Sequence, residues 1–206
     1  MAIVTIPAGM LFGPNCGMGQ RRYDSVDQSE TDGSSDVRLR GHPRHTVSLS
    51  PPQRLTLAEA AIWRSTLLAL NGRANVLAAY DPVRLVPRGT LRGTPVLAAN
   101  AVAGATSISV TSSTSGWTVL AGDLLQVGTG FGTSQLVEAK ADVTLSPTGT
   151  VQICTPIRKT ITSGATITWD RPVAYYRNSA ENVAWQYNGT GLHVSGFSFD
   201  GLEAWR

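Results

Sequence analysis

The sequence is poor in lysine, in charge and in cysteine. Only 2 of its 206 residues are lysine and charged residues make up 15%, against roughly 25% in typical globular proteins. Two cysteines, Cys16 and Cys154, are too few for a disulfide framework, and we expect both to be reduced thiols. No apolar run approaches the roughly 18 residues of a membrane-spanning helix, so we expect no membrane insertion. The apolar N-terminus lacks the basic region of a signal peptide.

Hydroxyl side chains and arginine take the place of the missing charge. The chain has 22 threonines, 18 serines and 21 glycines, a composition typical of many short strands rather than helices. Eleven of the 15 arginines lie in residues 1–95, a region without lysine, and arginine is better suited than lysine to buried interfaces. The net charge is +3, with no basic run interleaved with aromatic residues. We therefore expect a mainly β protein that builds interfaces, without nucleic-acid specificity.

One segment, residues 56–70, carries a clear helix pattern. Thr56 followed three residues later by Glu59 is a capping box, and Gly72 stands where a left-handed C-terminal cap belongs. A helix of this length is not stable alone, so it must pack on a sheet. We expect it to pack on the core through Leu57, Trp63, Leu67 and Leu70.

The composition changes near residue 93. From there to about residue 172 the chain is rich in threonine, serine and valine and nearly free of arginine. Five short strand patterns in this stretch, separated by glycine, proline or aspartate, predict a small all-β barrel or sandwich. After residue 172 the earlier composition returns. The simplest organisation is a discontinuous core, residues 1–93 and 173–206, with an inserted all-β domain at 94–172.

No set of residues has the spacing of a catalytic or metal site. His42 and His45 are separated by Pro43 and have no third ligand nearby, so we favour polar turn residues over a metal site. A G-x-S-x-G motif is absent, and the acids of the inserted domain are spread over strand ends. We therefore expect no enzyme activity, no metal and no cofactor.

The inserted domain also contains aromatic residues on which a carbohydrate could stack. Trp117 and Trp169, together with Phe131, are candidates for such a platform. The same residues suit the core of a small barrel, where large aromatic side chains are mostly buried. We favour the core interpretation and keep Trp117 and Trp169 as candidate glycan-stacking residues.

Residues 48–82, SLSPPQRLTLAEAAIWRSTLLALNGRANVLAAYDP, form the most specific pattern in the chain. Its strand ending in Leu-Ser-Pro, its capped helix with EAAxWR (Glu59 to Arg64) and its L-x-G-R-A-N (Leu70 to Asn75) resemble distal tail proteins. These proteins belong to bacteriophages with long, non-contractile tails and to gene transfer agents. The segments LAGDLLQVG, TPIRKTITSGATI and GFSFDGLEAW are similar to the same family. Val76-Leu77 departs from the family pattern, in which phenylalanine is common there.

The resemblance implies a structural virion protein. Six copies would form a ring at the distal end of a phage tail, assembled in the cytoplasm of the host bacterium. The ring would connect the tail-tube protein to the hub or tip protein, with the tape-measure protein in its lumen. The core would be a β-sandwich flanked by the helix, related to the tail-tube fold, and the inserted domain an OB-like or barrel domain projecting outward. The alternatives are a tail-tube protein and a host-glycan-binding module of the tail tip.

Within this framework, residues 18–45 are the candidate region for ring contacts. Alternating segments at 36–40 and 45–50, with Gly41-His42-Pro43 between them, predict a hairpin. The polar, acidic stretch at 24–36 is then expected to be a long tip or a connecting loop, flanked by arginines of complementary charge. The candidate interface residues are Arg21, Arg22, Asp24, Asp27, Glu30, Asp32, Asp36, Arg38 and Arg40.

Overall fold

The computed structural model describes residues 1–28, 30–180, 183–188 and 193–205. Its elements in chain order are β1 (Ile3–Thr5), β2 (Gly17–Gln28), β3 (Ser35–Leu49), α1 (Leu57–Ala69), β4 (Val76–Ala79), β5 (Val96–Leu97), β6 (Ser107–Thr111), β7 (Trp117–Val119), β8 (Leu124–Val127), β9 (Gln135–Glu138), β10 (Val143–Leu145), β11 (Thr148–Gln152), β12 (Ile167–Thr168), β13 (Ala174–Asn178), β14 (Gln186–Asn188), β15 (His193–Ser195) and β16 (Phe199–Glu203). The expectation of a mainly β protein with one helix is confirmed. No helix in the described ranges is long and apolar enough to cross a bilayer.

A six-stranded sheet, in the order β1-β4-β13-β16-β3-β2, forms the larger part of the fold. β1 and β4 pair in parallel and every other neighbouring pair is antiparallel. The strands come from both ends of the chain, residues 3–49, 76–79 and 174–203. β1 and β2 are the two edges of the sheet, so each carries backbone groups that no further strand of this sheet pairs.

Helix α1 packs on one face of this sheet. Its capping box is present, because Thr56 Oγ1 accepts from the Glu59 amide at 3.3 Å and the Thr56 amide donates to Glu59 Oε2 at 2.8 Å. Trp63, Leu67 and Leu70 are buried as predicted. Leu57, however, is 55% exposed, so its predicted packing on the core is wrong. At about 100° per residue, Leu57 lies about 110° around the helix from the mean direction of the other three side chains.

The strands between residues 96 and 168 close into a small barrel. Two three-stranded sheets, β11-β6-β5 and β12-β8-β9, are joined at both edges by antiparallel bridges, Val96 to Thr166 and Ala139 to Ile153. β7 and β10 form an additional pair beside the barrel. The closed circle leaves these six strands without a free edge, which a small all-β unit otherwise has to protect.

The apolar core is divided into two clusters. One lies between the sheet and α1 and is centred on Trp63, Tyr176 and Phe199. The other fills the barrel and takes its buried residues from 91–167. Leu124 and Leu136 stand on barrel strands but pack in the sheet cluster, so they join the two regions. The barrel cluster begins at Leu91, outside the predicted insertion at 94–172, whose bounds stay a prediction.

The segment predicted as a long tip or connecting loop is the end of the β2–β3 hairpin, but most of it is strand. β2 and β3 pair from Gly17–Ser48 to Gln28–Ser35, so most of 24–36 belongs to the two strands. The predicted turn at Gly41-His42-Pro43 is also wrong, because β3 runs through it without reversing. Register shifts on either side of Tyr23 leave His42 and Pro43 outside the pairing, and a proline is tolerated at such a bulge because no ladder hydrogen bond needs its missing N–H.

Candidate functional site

Beyond Thr46 the β2–β3 hairpin leaves the sheet as a two-stranded ribbon, defined here as residues 20–28 and 30–45. β16 pairs with β3 only from Thr46 to Leu49, so the ribbon has no third strand. Its β3 arm spans about 35 Å at about 3.3 Å per residue. Val26 and Val37 stand opposite each other and are 61% and 55% exposed. A two-stranded ribbon with apolar side chains in solvent is marginally stable by itself, so this ribbon is suited to contact a partner.

Like charges stand opposite each other at two positions of the ribbon. Asp27 is paired with Asp36, and Arg21 is paired with Arg44. Directly opposed like charges destabilise a strand pair. Arg38 compensates in part through an exposed ion pair with Asp36, with 2.9 Å between Nε and Oδ2. Opposite charges on another surface would neutralise these opposed pairs.

All nine residues predicted as interface residues lie on the ribbon, and all nine are exposed. Their charges are segregated along it rather than mixed. The acidic tip, residues 24–28 and 30–36, carries five carboxylates and no basic residue. Arg38 and Arg40 follow the tip on β3, and Arg40 Nε donates to Ser25 Oγ at 3.0 Å. The base of the ribbon is arginine-rich: the guanidinium groups of Arg21 and Arg44 lie 5.5 and 5.7 Å from the ring centre of Tyr23.

A buried ion pair joins the barrel to the sheet close to the ribbon base. Arg158, in the chain segment between β11 and β12, donates from Nη1 to Glu203 Oε1 at 2.8 Å and from Nη2 to Oε2. Glu203 Oε2 also accepts from the backbone amide of His45 at 2.9 Å. The guanidinium groups of Arg158 and Arg44 lie 3.5 and 4.6 Å from the ring centre of Trp205. Both carboxylate oxygens of Glu203 are thus engaged, which suits a structural role.

Burial shifts the protonation equilibria of this cluster. Burial lowers the pKa of Arg158 to about 10, against the opposing attraction of Glu203. Burial also lowers the pKa of His45, a shift that Glu203 opposes and Arg158 reinforces. Burial raises the pKa of the Tyr176 hydroxyl well above its ordinary value, and the negative charges of Glu203 and Asp81 act in the same direction. At neutral pH the cluster therefore holds a charged Arg158 beside a neutral histidine and a neutral tyrosine.

The largest cavity among the described residues, about 700 Å³, lies where the barrel meets the sheet. Its volume is within the roughly 300–1,000 Å³ of small-molecule sites. Hydroxyl side chains such as those of Thr129, Thr133 and Ser134 line it, and the Arg158–Glu203 pair closes one end. Thr133 and Ser134 donate their hydroxyls to the backbone carbonyls of Thr129 and Gly130 at 2.5 and 2.8 Å, so these groups stabilise the loop.

The two candidate glycan-stacking tryptophans pack at the margin of the barrel core. Trp117 and Trp169 are both half-buried against the barrel cluster. Trp169 Nε1 donates to the Gly93 carbonyl at 2.8 Å, and the guanidinium of Arg92 lies 4.9 Å from its ring centre. Phe131 makes an edge contact with Tyr175 on the sheet. This packing favours the core interpretation, because Arg92 already occupies one face of Trp169.

The remaining candidate positions lie apart from one another. His42 is exposed and His45 is buried, and the described residues contain no group of three His, Cys, Asp or Glu placed to hold a metal ion. Cys16 and Cys154 are both free thiols. Cys16 Sγ donates to the Ser50 carbonyl at 3.2 Å, while Cys154 is exposed.

Sequence reasoning did not single out Glu203, Arg158 or Trp205. In β16 residues 199, 201 and 203 are buried, and the residues between them are more exposed. This alternation places Glu203 on the inner face of the sheet. That alternation is visible in the sequence, but its partner Arg158 is 45 residues away and belongs to the barrel. No local spacing links the two residues.

Comparison with known proteins adds no relative to this picture. No family model matches the chain, and no curated protein matches it.

Proposed function

We propose that this protein is a structural ring component of a phage tail tip, with six copies connecting the tail tube to the hub. The observation that carries the proposal is the β2–β3 ribbon, which extends from the sheet with Val26, Val37 and all nine candidate interface residues exposed. A partner surface would cover Val26 and Val37 and neutralise the opposed like charges. The resemblance of residues 48–82 to distal tail proteins supplies the assembly and the number of copies.

The two edges of the six-stranded sheet support the same proposal. β1 and β2 each end the sheet, and β2 is 12 residues long, about twice an ordinary strand. Long unprotected edges are a liability for a soluble monomer. A ring covers such edges with neighbouring copies, because each copy uses one surface toward each neighbour.

The mass of the purified protein in solution tests the proposal. We expect native mass spectrometry to give six copies, and electron micrographs to show discrete rings. Val26→Lys/Val37→Lys should abolish these rings because it places charge on the covered face of the ribbon. Val83→Lys/Val102→Lys is the matched control, since these valines are 78% and 55% exposed and lie outside the ribbon.

Three outcomes would contradict the proposed ring or the role of the ribbon in it. A wild-type monomer at micromolar concentration would contradict self-assembly. Long tubes in the micrographs, instead of discrete rings, would favour the alternative that the protein is a tail-tube protein. Equal loss of rings in the ribbon variant and in the control would mean that added charge, rather than the ribbon, is responsible.

A further inference from the structure

A second cavity lies on the sheet face opposite α1, beside the ribbon base. It has a volume of about 320 Å³ and is lined by Arg44, Arg73 and Arg177, together with Trp205. Glu203 is the one carboxylate among the described residues that line it, and Arg158 already pairs with that carboxylate. Three guanidinium groups therefore stand around this cavity.

Three separate elements place these arginines around one cavity. Arg177 stands on β13 and is exposed, while Arg44 stands on β3 and is half-buried. Arg73 lies in the turn after α1 and donates from Nη2 to the Ser179 carbonyl at 2.7 Å. Arginine binds carboxylates through bidentate, charge-assisted hydrogen bonds. The chemistry of the rim thus selects a ligand with several carboxylates.

The acidic tip of the ribbon has that chemistry. It carries five carboxylates without a basic residue, and Asp27 and Asp36 stand side by side across the two strands. The tip cannot reach the cavity of its own chain, because eight residues of extended strand separate Asp36 from Arg44, about 26 Å. A contact between these two surfaces can therefore form only between two copies.

We propose that the acidic tip of one copy docks in the arginine cavity of the next copy. This inference rests on the proposed ring and names the contact that joins its subunits. The contact is heterologous, since the tip and the cavity are different surfaces, and heterologous contacts close into rings when the rotation between copies permits. The contact also brings positive charge to Asp27 and Asp36, which stand opposite each other in the tip.

Charge reversal tests the contact in two directions. Asp24→Lys/Asp27→Lys/Asp36→Lys makes the tip basic, because three lysines then outnumber the two remaining carboxylates, and Arg73→Glu/Arg177→Glu makes the cavity acidic. We expect each variant alone to self-associate more than about tenfold more weakly than wild type. An equimolar mixture should regain rings, in which the two variants alternate, because every tip then meets a cavity of opposite charge. Arg54→Glu/Arg88→Glu is the matched control: it changes two exposed arginines outside the cavity and should assemble like wild type.

Zero-length cross-linking identifies the contact independently of ring formation. Arg73→Lys/Arg177→Lys keeps the charge and places amines at the cavity, in a chain with only two other lysines. Carbodiimide should then link position 73 or 177 to carboxylates of the tip, between isotopically distinct copies. The docking would be overturned if both charge-reversed variants assembled as wild type does, or if their mixture formed no rings. Neither result would contradict the proposed ring. If the wild-type protein is monomeric, the proposed ring is contradicted. Cross-linking at millimolar protein concentration then tests the docking by itself, and the absence of cross-links would overturn it.

Discussion

The barrel and the six-stranded sheet solve the problem of unpaired strand edges in opposite ways. The barrel closes on itself through two single bridges, Val96 to Thr166 and Ala139 to Ile153. The sheet stays open, with β1 and β2 at its edges and a ribbon extending from one of them. A closed barrel satisfies its backbone groups within one chain, whereas an open sheet depends on other surfaces. The difference supports the proposal that the sheet, rather than the barrel, makes the contacts between copies.

The largest expected effect tests whether the two regions have separate cores. Trp63→Ala should cost about 3–5 kcal/mol of unfolding free energy, because Trp63 is fully buried and its removal leaves a cavity. Hydrogen exchange should show the loss of protection in β13 and β16, with β6 and β8 less affected. Leu125→Ala, in the barrel core, should give the reverse pattern. Equal loss in both regions for either variant would contradict two cores.

The ion pair between the regions should also have a large effect. Glu203→Gln leaves the buried Arg158 guanidinium without a counter-charge and should cost about 3 kcal/mol. Arg158→Met/Glu203→Gln should cost less than the sum of the two single variants, because the pair is then removed as a unit. Urea denaturation of the four proteins in a double-mutant cycle measures this coupling. Strict additivity would mean that the pair does not join barrel and sheet energetically.

Two leucines of α1 provide a smaller, matched comparison. Leu67→Ala should cost about 2–3 kcal/mol because Leu67 is buried against the sheet. Leu57→Ala should change stability by less than about 0.5 kcal/mol, since Leu57 is exposed and alanine favours a helix. Thermal unfolding of both variants measures the difference. A large loss of stability in Leu57→Ala would mean that Leu57 packs against another surface, such as a second copy of the chain.

The smallest effect concerns pH. Burial holds the pKa of His45 below its ordinary value, so the unfolded chain binds a proton near pH 6.5 that the folded chain does not bind. The free energy of unfolding should therefore fall as pH decreases below about 6.5, down to the lowered pKa of the folded state. His45→Gln should remove this part of the slope. Identical pH profiles for the variant and wild type, from denaturant midpoints between pH 5 and 8, would contradict the assignment.

Local patterns were reliable where neighbouring residues interact with each other. The capping box of Thr56 and Glu59 and the buried face of Trp63, Leu67 and Leu70 follow from spacings within one helix. At 24–36 the predicted tip of the hairpin is present, but its strand content was not predicted. Serine, aspartate and glycine have low strand propensity, while pairing along the whole hairpin holds them extended. The turn at Gly41-His42-Pro43 failed for a related reason, since register shifts beside Tyr23 let the strand continue past a proline.

The candidate site also has one part that the sequence predicts and one part that it does not. The composition of residues 18–45 marked the charged residues of the ribbon, because charge is a property of the residues themselves. It predicted an acidic stretch flanked by arginines of complementary charge, of which Arg38 pairs with Asp36. It did not predict the strand register, which places Asp27 against Asp36 and Arg21 against Arg44. The arginine cavity was not predicted, since Arg44, Arg73 and Arg177 are brought together by three elements that are distant in sequence.

The sequence by itself determined the mainly β composition, the capped helix, and the contrast between an arginine-rich region and a neutral, hydroxyl-rich one. These follow from side-chain chemistry and from contacts over a few residues. Only the tertiary structure decided that the neutral region closes into a barrel, that the acidic segment becomes the end of an exposed ribbon, and that Arg158 meets Glu203. Such contacts join residues tens of positions apart, and their energies depend on burial and register that no local pattern contains.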